Sequence, residues 1–206
     1  MDKPPYDQRM ARVLVRPLAK TGITPNQITA FSLLLALAGA WLLAQGEAAQ
    51  ANWGAGLFVL ARFLDHFDGE LARLTGKGSR FGYYFDYATG GLSYAALFAG
   101  MGIGLADGPL GVWALLLGAL GAASALISLF LNLDLDRQLD LSGGEAVGYP
   151  SLAGFELEDG IYLIAPITWL GWLTPFFTAA GIGAGLYCLW TLGRVVKARL
   201  AKRPRL

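Results

Sequence analysis

Long apolar segments separated by short polar connections run through most of the chain. A helix needs roughly 20 mostly apolar residues to cross the hydrocarbon layer of a membrane. Six segments approach that length, at about 28–44, 53–74, 81–105, 110–133, 160–173 and 176–196. Backbone groups in lipid must satisfy their hydrogen bonds internally, so each segment is expected to be a helix. The pattern predicts an all-α integral membrane protein of six transmembrane helices. We expect one membrane domain over 1–206, with the six-helix bundle over 26–198.

Residues 1–22 precede the first span and have a different pattern. Apolar residues recur at helical spacing, at Tyr6, Met10, Val13, Leu14 and Leu18. Basic residues occupy another face, at Arg9, Arg12 and Arg16. This predicts an amphipathic helix lying on the inner membrane surface and ending or bending at Pro17. The alternative is a charged flank that only enforces topology.

Composition and charge agree with a membrane protein and fix an expected orientation. Hydrophobic residues make up 55% of the chain and charged residues only 15%, against roughly 25% charged in soluble domains. Of the 16 basic residues, all but Arg62 lie in the termini or in the second-to-third and fourth-to-fifth connections. The other connections carry only the acids Glu47 and Asp107. The positive-inside rule therefore predicts cytoplasmic termini. A net charge of +1 gives no reason to expect nucleic acid as a partner.

Carboxylates cluster where the second and third spans approach the cytoplasmic side. Asp65 and Asp68 are three residues apart and share a helix face. In the third span, Gly82, Asp86 and Gly90 recur every four residues and also share a face. A short connection at 75–79 makes the two spans antiparallel neighbours. We therefore expect the three aspartates to converge.

Converging carboxylates at a membrane boundary repel one another unless a cation lies between them. Oxygen ligands suit Mg²⁺ or Mn²⁺, and Mg²⁺ is commonly bound by one or two carboxylates together with substrate phosphates. The cluster therefore indicates metal-assisted phosphoryl chemistry. One alternative is a solvated helix end with surface acids. A transporter or channel is a second alternative, but it would place acids near the bilayer midplane or show inverted repeats.

Residues 65–86 resemble the signature of the CDP-alcohol phosphotransferase family, which reads D-x-x-D-G-x-x-A-R, eight residues, then G-x-x-x-D-x-x-x-D. Residues 24–29 are similar to the Thr-Pro-Asn-x-x-Thr entry to that family's first span. The resemblance implies that Asp65, Asp68 and Asp86 ligate a divalent metal, with Asp86 also in the catalytic set. It further implies a nucleotide and phosphate site lined by Asn26, Thr29, Gly69, Ala72, Arg73 and Gly82.

The resemblance also implies a reaction and its partners. A phosphatidyl or substituted phosphoryl group would pass from a CDP-alcohol, expected to be CDP-diacylglycerol, to an acceptor hydroxyl, with release of CMP. The expected partners are this donor, an acceptor alcohol and membrane lipids, and a homodimer is possible. We expect phospholipid biosynthesis at a bacterial inner membrane, with the active site on the cytoplasmic side.

One position departs from the family signature. Its last aspartate, implied to be the general base, is replaced by Gly90. Replacement bases to consider are His66, Glu70 and the acidic patch at 156–159, within which Glu158 is preferred. His66 and Glu70 are poorly aimed on the helix, and the patch has the alternative explanation of acids favoured at a helix N-terminus. A second functional hypothesis is therefore a catalytically impaired family member that binds a CDP-lipid or a protein partner.

Overall fold

The protein is almost wholly helical in the computed structural model, which describes the backbone of residues 6–139, 151–152 and 155–201 and the side chains of 10–138 and 160–201. Seven α-helices are described: α1 (Tyr6–Leu14), α2 (Pro25–Ala44), α3 (Ala48–Thr75), α4 (Arg80–Gly104), α5 (Val112–Leu139), α6 (Ile164–Trp169) and α7 (Leu173–Ala201). Short 3₁₀ segments lie at Leu18–Lys20 and Leu157–Leu163. Ser151–Leu152 pairs antiparallel with Phe155–Glu156.

The helix ends nearest the carboxylates follow local sequence rules. At the start of α2, the Gln27 side chain accepts a hydrogen bond of 2.9 Å from the Thr24 backbone N–H, and Pro25 occupies the first turn. Gly76 ends α3 in the left-handed conformation, at φ 65°. Ser79 then caps α4 by accepting from the Gly82 N–H at 2.9 Å. This tight connection places the end of α3 beside the start of α4.

Helix α2 packs against both α3 and α4, and α5 packs against both α4 and α7. Small residues allow the close approach of α2. A Cβ built on Gly39 of α2 would lie 2.7 Å from the Gly54 carbonyl oxygen of α3. One built on Gly100 of α4 would overlap the Ala40 carbonyl oxygen of α2. These backbone contacts fix α2, α3 and α4 at the ends of the helices that lie away from the aspartates.

Helix α1 docks on the protein through a face that the sequence pattern did not identify. Ala11 and Val15 are fully buried and pack with Phe67 and Leu71 of α3. The predicted apolar face is largely uncovered by protein. Three of its side chains, Met10, Val13 and Leu14, are 52–60% exposed. An interfacial position for this face in the membrane stays a prediction.

Within the described residues, three helices are long and apolar enough to cross a membrane, at Pro25–Ala44, Val112–Gln138 and Leu173–Ala201. The second and third predicted spans exist as α3 and α4, but their polar residues reduce the apolar character of these helices. The described part of the fifth, Gly160–Trp169, combines 3₁₀ and α geometry. It covers only about 15–20 Å of the ~30 Å hydrocarbon layer. The count of six spans therefore stays a prediction.

The helix of the fourth predicted span, at about 110–133, does not end where the charged residues begin, at Asp134. Helix α5 continues to Leu139. Asp136 lies inside this helix and is only 1% exposed. Tyr83 of α4 donates a hydrogen bond of 2.7 Å to Asp136, and the Tyr87 hydroxyl donates to the same oxygen. These bonds satisfy the carboxylate and hold the start of α4 against the end of α5.

The Gly100 contact yields a stability prediction. The substitution Gly100→Ala inserts a methyl group against the α2 backbone, and we expect overpacking to cost about 1–3 kcal/mol. Gly183→Ala in α7 is the matched control, because a Cβ there meets no neighbouring heavy atom within 4 Å among the described residues. Thermal unfolding in detergent should show a lower midpoint for Gly100→Ala only. Equal midpoints for the two variants would contradict the packing described.

Candidate metal and nucleotide site

The three aspartates converge between α3 and α4. Asp65 and Asp68 lie on α3 and Asp86 lies on α4. One carboxylate oxygen from each residue lies within 4.8 Å of the others. This is the juxtaposition that the helical register predicts. Such an arrangement of hard oxygen donors suits a divalent cation.

Helix α2 contributes hydroxyl groups to this cluster. The Thr29 hydroxyl donates to Asp68, which is buried, and the Ser32 hydroxyl donates to Asp65 at 3.3 Å. Hydrogen bonds of this kind orient metal-ligating carboxylates. Thr29, which the resemblance assigns to the nucleotide site, therefore contacts one of the aspartates directly. Ser32 was not identified from the sequence, although it lies almost one turn further along α2.

Arg62 is the second site residue that sequence reasoning missed. Its side chain is buried, and Nη1 lies 2.9 Å from the Asp65 Oδ2. The guanidinium also lies over the Tyr94 ring, 5.0 Å from the centroid. A basic residue three positions before Asp65 inside an apolar segment was the available signal.

The donor set of this cluster fits a divalent cation. Three carboxylates lie together, and the Arg62 guanidinium lies 2.9 Å from one of them. The aspartates offer the oxygen donors that Mg²⁺ and Mn²⁺ prefer. The residues present therefore fit such a metal.

The residues expected at the nucleotide lie close to the aspartates. A Cβ built on Gly82 would lie 3.0 Å from the Asn26 Oδ1, so these two residues are neighbours across α2 and α4. The Arg73 guanidinium lies over Gly69, with nitrogens 3.5 and 3.7 Å from a Cβ built there. Ala72 is half-buried on the same turn as Arg73. The structure thus brings the predicted set together where the start of α2, the end of α3 and the start of α4 meet.

Candidate replacements for the missing base have different surroundings. His66 Nε2 forms a 3.1 Å hydrogen bond with the hydroxyl of Tyr162, in the 3₁₀ segment before α6. Glu70 uses one oxygen for Arg12 and the other for Arg73, at 3.0 and 2.7 Å. The side chain of Glu158, like those of Glu156 and Asp159, lies outside the described residues.

The position of the missing aspartate is sterically open. A Cβ built on Gly90 meets no neighbouring heavy atom within 4 Å among the described residues. Gly90 follows Asp86 by one turn of α4, so a side chain there would lie on the same face as the cluster. The glycine is therefore not required by close helix packing.

Comparisons with known proteins point to one family. A family model described as CDP-alcohol phosphatidyltransferase matches residues 22–190. Archaetidylinositol phosphate synthase of Pyrococcus horikoshii is 38% identical over 104 residues, 50% of this chain and 52% of that protein. Phosphatidylinositol phosphate synthase of Mycobacterium marinum is 36% identical over 107 residues, 49% and 44% of the two chains. The chain thus spans about half the length of the curated relatives it matches.

Solved structures match over nearly the full chain. The Mycobacterium tuberculosis phosphatidylinositol phosphate synthase with CDP-DAG bound gives a TM-score of 0.69 at 19% identity, covering 91% of this chain and 94% of the other. The same enzyme in complex with manganese and citrate gives 0.56 at 21% identity, covering 92% and 88%. At these identities the likeness establishes a shared fold.

The cluster predicts a specific loss of metal binding. Asp68→Asn removes a charged oxygen ligand, and we expect Mn²⁺ affinity to fall by at least about tenfold, since loss of even an outer partner costs 10–100-fold. Electron paramagnetic resonance of free Mn²⁺ during titration of the purified protein measures this. Asp107→Asn, at an exposed acid in the α4–α5 connection, is the control. Equal affinities for the two variants would contradict metal binding at the cluster.

Proposed function

Because the chain belongs to the CDP-alcohol phosphatidyltransferase family, we propose that it transfers a phosphatidyl or substituted phosphoryl group from a CDP-alcohol to an acceptor hydroxyl. The observation that carries the proposal is the convergence of Asp65, Asp68 and Asp86 within the matched residues. The donor we propose is CDP-diacylglycerol, and the product is a phospholipid. The fold match to an enzyme with CDP-DAG bound supports this choice.

The reaction is a substitution at phosphorus. The acceptor oxygen forms a bond to the β-phosphorus while the bond from that phosphorus to the CMP oxygen breaks. The electron pair of the broken bond leaves with CMP, and the acceptor hydroxyl loses its proton. Bound Mg²⁺ or Mn²⁺ supplies neutralising charge for the diphosphate and the departing CMP.

The chain's own residues prepare this site in the proposed mechanism. Asp65, Asp68 and Asp86 hold the metal. The Thr29 hydroxyl fixes the orientation of the Asp68 carboxylate, and Arg62 does the same for Asp65. Because these partners are already in place, less reorganisation is needed when the substrate binds.

The donor's nucleotide and phosphates are assigned to the neighbouring surface. Arg73 supplies a guanidinium suited to phosphate oxygens. Gly69 and Ala72 keep the adjoining turn of α3 small, and Gly82 lets the chain approach Asn26 closely. Together these residues would bind the CDP moiety beside the metal.

Removal of the acceptor proton is the least conventional step, because Gly90 carries no carboxylate. Glu70 is an unsuitable base since an arginine occupies each of its oxygens. His66 remains a candidate, and its bond to Tyr162 places the segment Leu157–Leu163, which contains Glu158, beside α3. An acceptor that is itself acidic, such as a phosphate or a carboxylate, would depend less on a base. The names of two relatives, synthases of inositol phosphate lipids, make phosphorylated inositol a compound to test.

The proposed setting is a bacterial inner membrane with both termini and the active site facing the cytoplasm. The distribution of basic residues supports this orientation. The nucleotide end of a CDP-linked lipid is water-soluble, as is CMP, while the lipid end stays in the membrane. A site at the membrane boundary can therefore receive both ends of the donor. Homodimerisation remains part of the proposal, because small residues in the spans permit close helix contacts.

A second candidate is a family member that binds CDP-lipid without turning it over. Gly90 is the observation that favours it, because a general base typically contributes about 10²–10⁴-fold to rate. The two functions share the metal and nucleotide site and differ only in turnover.

Release of CMP distinguishes the two functions. Purified protein in nanodiscs with CDP-diacylglycerol and Mg²⁺ or Mn²⁺ is given a panel of alcohols, including glycerol phosphate and inositol phosphate. We expect CMP release with at least one acceptor, abolished by Asp68→Asn and unaffected by Asp107→Asn. If the protein binds CDP-diacylglycerol but releases no CMP under any of these conditions, the second function is established instead.

Restoring the carboxylate tests the base directly. The open space at Gly90 leads us to expect that Gly90→Asp folds normally and raises CMP release about tenfold or more, if the base is missing. If Glu158 already acts as base, Gly90→Asp should change little and Glu158→Gln should abolish turnover. Gly183→Ala is the control for substitution of a helix glycine. A steady-state comparison of these variants with one acceptor decides between the two bases.

A further inference from the structure

Glu70 is a buried acid with two basic partners from different parts of the chain. It is only 2% exposed. Its Oε2 lies 3.0 Å from the Arg12 Nε of α1, and its Oε1 lies 2.7 Å from the Arg73 Nη2. A buried carboxylate needs such partners, because an unpaired charge out of water is costly. The same carboxylate also raises the pKa of the exposed Arg12 guanidinium, through its hydrogen bond and its charge.

Packing of α1 delivers Arg12 to this acid. Ala11 and Val15, on either side of Arg12 in sequence, are fully buried against α3 in the cluster that contains Phe67 and Leu71. Arg12 lies at the edge of that docked face and reaches Glu70. Arg16 is one turn further along the charged face and is exposed. The ion pair with Glu70 is formed by Arg12.

Arg73 is the residue that most needs a fixed partner. Its side chain is 55% exposed, and a long exposed side chain loses considerable rotamer freedom when it is held in one place. The bond to Glu70 keeps the guanidinium over Gly69, directly after Asp68 in sequence. Without that bond, Arg73 would sample positions away from the metal site.

We propose that Glu70 is a positioning residue that holds Arg73 over Gly69 for the donor's phosphates, and that Arg12 ties this pair to helix α1. The inference rests on the proposed function, since it assigns Arg73 to the CDP moiety. Arg12 satisfies the second oxygen of Glu70 and leaves the first one directed at Arg73. Docking of α1 is thereby coupled to donor binding, although the three aspartates themselves lie on α3 and α4.

The test measures KM and kcat for CDP-diacylglycerol, together with its equilibrium binding in the absence of acceptor. Glu70→Gln keeps the shape of the side chain but loses the charge. We expect KM and the dissociation constant to rise about tenfold with kcat within about twofold, because a charge-assisted hydrogen bond to Arg73 is lost. Arg12→Gln should raise both constants by a smaller factor. Arg12→Lys keeps the positive charge and should retain most of the donor affinity that Arg12→Gln loses. Arg16→Gln is the matched control and should leave both constants unchanged.

A double-variant cycle separates positioning from a structural role. In an Arg73→Gln background, Glu70→Gln should add less than about a twofold effect, because the residue it positions is already gone. Additive effects, or a loss confined to kcat and thermal stability, would overturn the proposal. So would tighter donor binding by Glu70→Gln, which would mean that Glu70 holds Arg73 away from the donor. Wild-type protein that does not bind CDP-diacylglycerol would refute the proposed function itself, whereas equal binding by wild type and Glu70→Gln refutes only the role of Glu70.

Discussion

Mutual repulsion among three carboxylates is the constraint around which the cytoplasmic ends of α2, α3 and α4 are organised, by the orientation we propose. Oxygens of Asp65, Asp68 and Asp86 lie within 4.8 Å of one another, next to apolar helix segments in which charge is expensive. Hydroxyls from α2 and the guanidinium of Arg62 offset part of this charge. A divalent cation bound by the three carboxylates would offset the repulsion that these partners leave.

That convergence depends on close packing of the backbones elsewhere in the bundle. Gly39 lies against Gly54, and Gly100 against Ala40, at distances that exclude a side chain. Helices held this closely at one end have little freedom to separate at the other, so the carboxylates stay near one another despite their repulsion. In lipid, where burial of apolar side chains gives little drive for helix association, such contacts contribute much of the packing energy.

Charged residues outside the aspartate cluster hold the helices of that cluster against their neighbours. Asp136 of α5 accepts hydrogen bonds from two tyrosines of α4. Glu70 of α3 binds an arginine of α1 and an arginine of its own helix. Helix α4 therefore presents Asp86 on one face while its tyrosines hold it to α5, and α3 presents two aspartates while Glu70 holds α1. Gly90 breaks this pattern, because an open position stands where the family signature has a carboxylate.

The sequence by itself determined the course of the helices and the register of the aspartates. Both follow from local rules: apolar length, caps such as Gly76 and Ser79, and the 3.6-residue period that puts Asp65 and Asp68 on one face. Recognition of the family followed from the same spacing. These properties depend on residues near one another in the chain, so a linear pattern is enough to specify them.

Only the tertiary structure decided which groups stabilise the cluster. The contacts Thr29–Asp68, Arg62–Tyr94 and Arg12–Glu70 each join separate helices. They depend on which faces of the helices meet, and spans that are apolar on all sides do not specify that choice. The docked face of α1 was also missed, because a residue as small as Ala11 gives little sign in the sequence that it is buried. The short fifth segment was expected to be one helix, since its apolar run does not reveal the 3₁₀ turn at its start or the end of α6 at Trp169.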